Sequence, residues 1–149
     1  MQRLPSVAVL LTILFASVCG CFRDGTSGVM TVPVTGIVRY QGKPLPRGSI
    51  SFQPVQPAQG FPMRPASGTI DETGRYAMST FAKGDGVIPG EYQVRIMSYE
   101  TDPSPEMPAS KAVWIIPKRY GNPNESGLSI TISETSGSSN VVKDFELKD

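Results

Sequence analysis

The sequence predicts an all-β protein, an antiparallel β-sandwich of about seven short strands. Its clearest strand follows a turn at residues 84–90, where Tyr92, Val94 and Ile96 alternate with polar neighbours. Alternation of this kind is typical of a strand with one buried face. Proline and glycine are frequent, with 14 and 15 residues, and long helical periodicity is absent, which favours short strands joined by turns. The 149 residues leave room for one such domain.

The same alternation predicts the other strands. In residues 32–40, Val34, Val38 and Tyr40 share one face, and Gly36 is expected at a bulge or at a close approach of another backbone. Residues 111–116 fit either a strand or a buried segment. The remaining strands are predicted at residues 49–53, 66–70, 76–80, 128–133 and 141–147, the last with Phe145 and Leu147 facing inward.

Two connections between these strands have clear turn chemistry. The spacing of Asp71 and Gly74 predicts a type I turn that ends in a glycine at positive φ. Residues 54–65 contain four prolines, which a sheet interior does not tolerate, so they are predicted to form a loop. Within this loop, Phe61 and Met63 are expected to cap one end of the core.

The N-terminus has the pattern of a targeting segment. A short region with one positive charge, Arg3, precedes an apolar run at residues 7–18. That run is shorter than the roughly 20 residues that cross a membrane. The following Val18-Cys19-Gly20-Cys21 resembles a bacterial lipoprotein lipobox, although leucine is commoner at the position of Val18 and Cys19 is unusual. Ordinary signal cleavage, which leaves Cys21 as a free thiol, is the alternative.

The lipoprotein interpretation divides the chain into a signal peptide (residues 1–20), a lipid-anchored tether (21–31) and a β-sandwich domain (32–149). Cys19 leaves with the signal peptide and Cys21 carries the lipid, so the mature chain has neither a free thiol nor a disulfide. Loss of Arg3 leaves 13 basic and 13 acidic residues, and this balance does not favour nucleic acid as a partner. The expected location is the bacterial cell envelope, with the membrane as a partner through Cys21.

Three segments resemble the carboxypeptidase regulatory-like, transthyretin-like domains found in bacterial surface lipoproteins. They are residues 34–45, 66–76 and 89–94, and residues 116–120 with 126–128 resemble a later part of the same group. The resemblance implies a seven-stranded prealbumin-like sandwich with a transthyretin-like or immunoglobulin-like Greek key. The family supplies no catalytic residues that can be carried over to this chain.

The residues themselves offer little catalytic chemistry. The absence of histidine excludes histidine-based catalysis and histidine-ligated metal, and no S-x-x-K motif is present. Asp71, Glu72 and Asp85 lack the spacing of a calcium loop and are interpreted as turn residues. We therefore expect no catalytic residue, metal or cofactor, although the sequence leaves a carboxylate pair open.

Aromatic side chains are the remaining candidates for a binding site. Trp114 and Tyr120 flank a proline-containing loop, and they are candidate ligand contacts for a stacked sugar ring. The alternative is that both rings pack in the protein, as Tyr76 and Tyr92 are expected to do from their strand faces.

Two functional hypotheses follow. The first is a non-enzymatic envelope lipoprotein that serves as a structural, adhesion or binding module, with envelope proteins or a glycan as its partner. The alternative is a glycan-binding accessory subunit or a small hydrolase of the envelope. A concave site with converging polar groups and perturbed carboxylates would distinguish the second from the first.

Overall fold

The computed structural model describes residues 29–57, 62–101, 103–108, 111–133 and 139–149. The predicted signal peptide, the lipid-attachment residue Cys21 and most of the tether lie outside these residues. The regular secondary structure of the described residues is almost entirely β-strand, with one short 3₁₀ turn, which confirms the predicted all-β sandwich. Its strands are β1 (Val34–Tyr40), β2 (Lys43–Pro44), β3 (Gly48–Pro54), β4 (Ala66–Ile70), β5 (Arg75–Ala77), β6 (Gly90–Met97), β7 (Ser129–Ile132), β8 (Val141–Val142) and β9 (Phe145–Leu147).

The strands form two facing sheets. In sheet A, β1 is central, with β5 and β2 antiparallel to it and with β8 and β9 parallel to it. In sheet B, the strands lie in the order β4-β3-β6-β7 and every pair is antiparallel. The turn between β4 and β5 joins the sheets: the N–H of Gly74 donates to the carbonyl of Asp71, and Gly74 has φ 78°, as the sequence predicts.

The inner faces of both sheets enclose one hydrophobic core. Tyr92, Val94 and Ile96 of β6 all point into it, and Val94 lies directly opposite Phe52 of β3. The Phe52 ring is also 6.2 Å from the ring of Phe145, which brings the last strand of sheet A onto sheet B. The alternation in β6 therefore identified the buried face correctly.

The two ends of the sandwich carry different segments. At the entry end, where the described chain begins, Val32 pairs with Val87, and Ser67 at the start of β4 pairs with Ser79. The entry end comprises residues 29–33, 54–57, 62–65, 78–89, 133 and 139–140. The distal end lies at the opposite ends of the same strands and comprises residues 41–47, 71–74, 98–101, 103–108 and 111–116.

The final strand departs from the predicted continuous run at residues 141–147. It divides into β8 and β9 at Lys143 and Asp144, and both parts pair with β1 in parallel. At this break, an added Cβ on Gly36 would lie 1.9 Å from the Lys143 carbonyl oxygen. The predicted close approach at Gly36 is therefore confirmed, and it is the Lys143 backbone that approaches.

Other local predictions need correction. Met63 is 55% exposed and does not cap the core, whereas Phe61 lies outside the described residues. Residues 111–116 form neither the strand nor a fully buried segment: a single bridge joins Trp114 to Tyr99, Ala112 and Ile116 are buried, and Val113 is 57% exposed. Further on, the predicted loop contains a 3₁₀ turn at Lys118–Gly121, which buries Tyr120. The predicted strand at residues 76–80 shortens to β5, followed by the bridge at Ser79.

The two faces of β6 can be distinguished by matched substitutions. Val94→Asp places an unpaired carboxylate in the core, which costs several kcal/mol, a large part of the roughly 5–15 kcal/mol of a small domain. Arg95→Asp lies on the outer face and should cost about 1 kcal/mol or less. Urea melts of residues 32–149 measure both effects. Unfolding by Arg95→Asp with tolerance of Val94→Asp would show that the strand faces are reversed.

Candidate functional site

An apolar cleft of the described chain lies at the distal end. It begins at Tyr40, where β1 ends, and continues along the turn and the short strand β2 to Pro46. Ile115 closes the far side because its N–H donates to the carbonyl of Ser98, after the end of β6. The cleft has a volume of about 320 Å³, and its lining residues are Tyr40, Gln41, Lys43, Pro44, Leu45, Pro46 and Ile115.

The walls of this distal cleft are rigid for simple reasons. Proline fixes the backbone φ at Pro44 and Pro46, and Leu45 between them is 1% exposed because it is inserted into the core. On the opposite side, the Ser98 hydroxyl donates to the carbonyl of Arg47, which ties this segment to the end of β6. The cleft is therefore preformed, as ligand sites usually are.

Polar groups surround the mouth of the cleft. The Tyr40 hydroxyl donates to Oδ1 of Asp149 over 2.5 Å, and the Gln41 amide donates to the same carboxylate. The hydrogen bond to Asp149 raises the pKa of Tyr40 above its ordinary value, so this phenol stays protonated at neutral pH. The exposed Lys43 adds a positive charge beside these groups. An apolar floor with a polar rim can bind an apolar group that carries polar neighbours.

A second, larger groove of about 670 Å³ lies on the outer surface where β4 meets β5. Its lining contains the hydroxyl-bearing residues Ser49, Ser67, Thr69 and Ser79 together with Lys83. No aromatic or large apolar side chain lines it, and its apolar surface comes from backbone and small residues such as Gly68 and Ala77, which give an apolar ligand group no side-chain pocket. We therefore take the distal cleft as the stronger candidate.

The two aromatic residues singled out in the sequence do not form a shared platform. Tyr120 is 5% exposed, and its hydroxyl donates to the carbonyl of Lys148 and accepts from the N–H of the same residue. The Arg119 guanidinium lies 4.7 Å from the Tyr120 ring centroid. The ligand-contact hypothesis for Tyr120 is therefore not supported, because its ring is buried and its hydroxyl holds the C-terminal segment.

Trp114 is half-buried. Its ring packs edge-on against Tyr99 with the centroids 4.6 Å apart, and it lies so close to Gly121 that a Cβ there would be 2.5 Å from the indole. Trp114 thus retains some exposed ring surface, next to Ile115 of the distal cleft. The sequence missed the cleft itself, since residues 41–44 read as a plain turn and nothing local indicates that Ile115 joins them.

The acidic residues considered in the sequence hold turns together. Asp71 accepts the N–H groups of Thr73 and Arg75 together with the Thr73 hydroxyl. The hydrogen bond from that hydroxyl is the main reason why the pKa of Asp71 lies below its usual value. Asp85 likewise accepts the backbone N–H groups of residues 80–82. The turn interpretation of Asp71 and Asp85 is therefore confirmed.

Asp144 also accepts hydrogen bonds from the protein, in this case from residues of strand β1. Its carboxylate accepts from the Arg39 guanidinium and from the N–H of Ile37, both at 2.9 Å. The Arg39 hydrogen bond is the largest cause of the lowered pKa of Asp144. A carboxyl group with a lowered pKa is ionised at neutral pH, which suits a structural acceptor and not a general acid.

Among the described residues, no group of three or more acidic, cysteine or histidine residues lies close enough to hold a metal ion. Within the same part of the chain, no helix has the length and apolar character needed to cross a membrane.

Comparisons with known proteins assign no family. No protein-family model matches the chain, and no curated protein matches it. Among solved structures, the chain is weakly similar to a 9R-lipoxygenase from Cyanothece PCC8801, with 13% identity and a TM-score of 0.39. The match covers 80% of this chain but only 16% of the lipoxygenase chain.

Asp85 provides a pH-dependent test of the structural role of these carboxylates. Burial acts to raise its pKa, but the hydrogen bonds from Thr80, Ala82 and Phe81 outweigh burial and lower it. A lowered pKa stabilises the fold above the unfolded pKa of about 3.9, and this contribution is lost as the pH falls through the folded value. Asp85→Asn should therefore destabilise the domain by about 1–2 kcal/mol at pH 7, and less at pH 3.

The measurement is urea unfolding of wild type and Asp85→Asn at pH 7 and pH 3. Glu72→Gln, in the exposed turn after β4, is the matched control and should leave stability unchanged at both pH values. An equal loss of stability at both pH values in Asp85→Asn would contradict the role given to the ionised carboxylate.

Proposed function

We propose that the chain is a non-enzymatic, lipid-anchored module of the bacterial cell envelope that binds a partner through its distal cleft. The β-sandwich serves as the display scaffold, of the carboxypeptidase regulatory-like kind that its sequence resembles. The observation that carries this proposal is the placement of the cleft. The chain enters the sandwich at one end, and the cleft formed by Tyr40, Pro46 and Ile115 lies at the other.

The chemistry of the cleft indicates the class of partner. Its volume, about 320 Å³, is at the lower end of small-molecule pockets, which run from roughly 300 to 1,000 Å³. Proline, leucine and isoleucine in its lining suit an apolar side chain, while Lys43 and Asp149 at the rim offer both signs of charge. We therefore propose a segment of an envelope protein as the occupant.

The carboxylates support a binding role over a hydrolytic one. Asp71, Asp85 and Asp144 all have lowered pKa values and accept hydrogen bonds from the protein itself. A glycosidase needs one carboxyl group with a raised pKa beside a second, ionised one. The glycan-binding alternative has one observation in its favour, the hydroxyl-lined groove between β4 and β5.

Lipidation of Cys21 is tested on the mature protein purified from membranes. Mass spectrometry should find an acylated Cys21 as the first residue, and Cys21→Ala should release the protein or stall its processing. One acyl chain binds membranes only marginally, whereas the several chains of a bacterial lipoprotein anchor it stably. An unmodified N-terminus at another residue would show that the anchor is absent.

Binding at the distal cleft is tested by site-specific photo-crosslinking in intact cells. A benzophenone side chain at position 44, on the rim, should give one discrete protein adduct, and Ile115→Glu should abolish it. The matched control places the same probe at position 131, exposed on β7 of sheet B, where no such adduct is expected. Thermal melts verify that Ile115→Glu remains folded. Equal labelling from positions 44 and 131 would contradict a specific site.

A further inference from the structure

The entry end of the sandwich exposes apolar side chains that packing does not explain. Met30, Val55 and Met63 are 56%, 48% and 55% exposed, and they account for three of the six large hydrophobic residues that the described chain leaves in solvent. They come from three separate segments: the start of the described chain, the end of β3 and the approach to β4. The strand pairing brings these segments together at one end.

Hydrogen bonds hold these segments in place. The N–H of Val55 donates to the carbonyl of Glu91 at the start of β6. The Arg64 guanidinium, next to Met63, donates to the carbonyl of Thr80 and stacks on the Phe81 ring at 4.7 Å. Met30 is two residues from Val32, which pairs with Val87. The segments that carry the exposed apolar side chains are therefore joined to their neighbours close to each of the three residues.

Charge is distributed unevenly between the ends. Among the described residues of the entry end, Arg64, Lys83 and Asp85 carry charge, with Glu91 close by, and Asp85 is occupied by backbone N–H groups. The distal end exposes many more charged side chains, namely Lys43, Arg47, Asp71, Glu72, Glu100, Glu106 and Lys111. A surface low in charge and rich in methionine, valine and proline is suited to an apolar environment.

The length of chain before the sandwich limits how far this end lies from a lipid on Cys21. Seven residues separate Cys21 from Val29, the first described residue. Even fully extended, the eight steps from Cys21 to Val29 span at most about 28 Å, at roughly 3.5 Å per step. This distance is comparable with the length of the eight-residue strand β6, about 26 Å at 3.3 Å per residue. A lipid on Cys21 thus keeps the entry end within about 28 Å of the bilayer.

We propose that the entry end of the sandwich rests on the membrane surface, with Met30, Val55 and Met63 in the boundary between headgroups and acyl chains. The inference rests on the proposed lipidation of Cys21 and adds an orientation to it. Arg64, next to Met63, and Lys83 supply the positive charge of this end, which would favour the lipid phosphates. The distal cleft then faces away from the bilayer, the length of β6 above it.

Spin labels on the lipidated mature protein test this orientation. Because Cys19 leaves with the signal peptide and Cys21 is acylated, Met63→Cys takes a single nitroxide label. Met107→Cys is the matched control, since Met107 is 41% exposed and lies at the distal end. Both proteins are bound to vesicles of phosphatidylethanolamine and phosphatidylglycerol. Collision rates of each label are then measured with oxygen, which concentrates in lipid, and with a water-soluble nickel complex.

We expect the label at position 63 to collide more often with oxygen than with the nickel complex. The label at position 107 should show the reverse. Val55→Asp, which adds charge to the same surface, should shift the label at position 63 towards nickel. If the protein co-sediments with the vesicles but the labels at positions 63 and 107 have the same collision rates, the proposed orientation is wrong and the lipid anchor is unaffected. If the protein does not co-sediment with the vesicles, the proposed lipid anchor is itself wrong. Concentration-dependent shielding of position 63 from both reagents would indicate a second copy on this surface and also overturn the inference.

Discussion

The parallel pairing of the last strand with β1 is the constraint on which the rest of the sandwich depends. At its break, the Lys143 carbonyl leaves the regular ladder and accepts a hydrogen bond of 2.5 Å from the Tyr76 hydroxyl. The Asp144 carboxylate accepts the N–H of Ile37 in its place. Burial, with the charge of Asp144, raises the pKa of Tyr76, so the phenol remains a donor. The Lys143 carbonyl and the Ile37 N–H are therefore both satisfied at the break.

This arrangement explains why Gly36 stands in the middle of β1. The backbone at Lys143 comes so close that no Cβ can be accommodated opposite it. This close approach places Phe145 in the hydrophobic core, where its ring centroid lies 6.3 Å from that of Tyr76 and 6.2 Å from that of Phe52. One contact between the first and the last strand thus closes sheet A and completes the core against sheet B.

The closed sandwich separates two surfaces of different character. One end receives the chain from its N-terminal segment and exposes Met30, Val55 and Met63. The other end carries the charged turns and the distal cleft. With the proposed attachment through Cys21, the distal cleft would be presented away from the membrane without any moving part. The strands, about 26 Å long in the case of β6, would then act as a spacer.

Sequence alone determined the features that depend on local chemistry. Alternation identified the buried faces of β1 and β6, because neighbouring side chains of a strand lie on opposite faces whatever the partner strand is. The Asp71-to-Gly74 turn and the turn roles of Asp71 and Asp85 followed from the conformations that these residues favour. The absence of histidine limited the available chemistry for the whole chain.

Only the tertiary structure decided which distant segments meet. The hydrogen bond from Ile37 to Asp144 joins residues 107 positions apart, and no local pattern specifies that the pairing is parallel or that it breaks at Lys143. The same holds for the burial of Tyr120, the exposure of Met63 and the contribution of Ile115 to the distal cleft. Alternation reports whether one side of a strand is buried. Which residues share a surface depends on how the sheets pack and close, and that is a property of the whole fold.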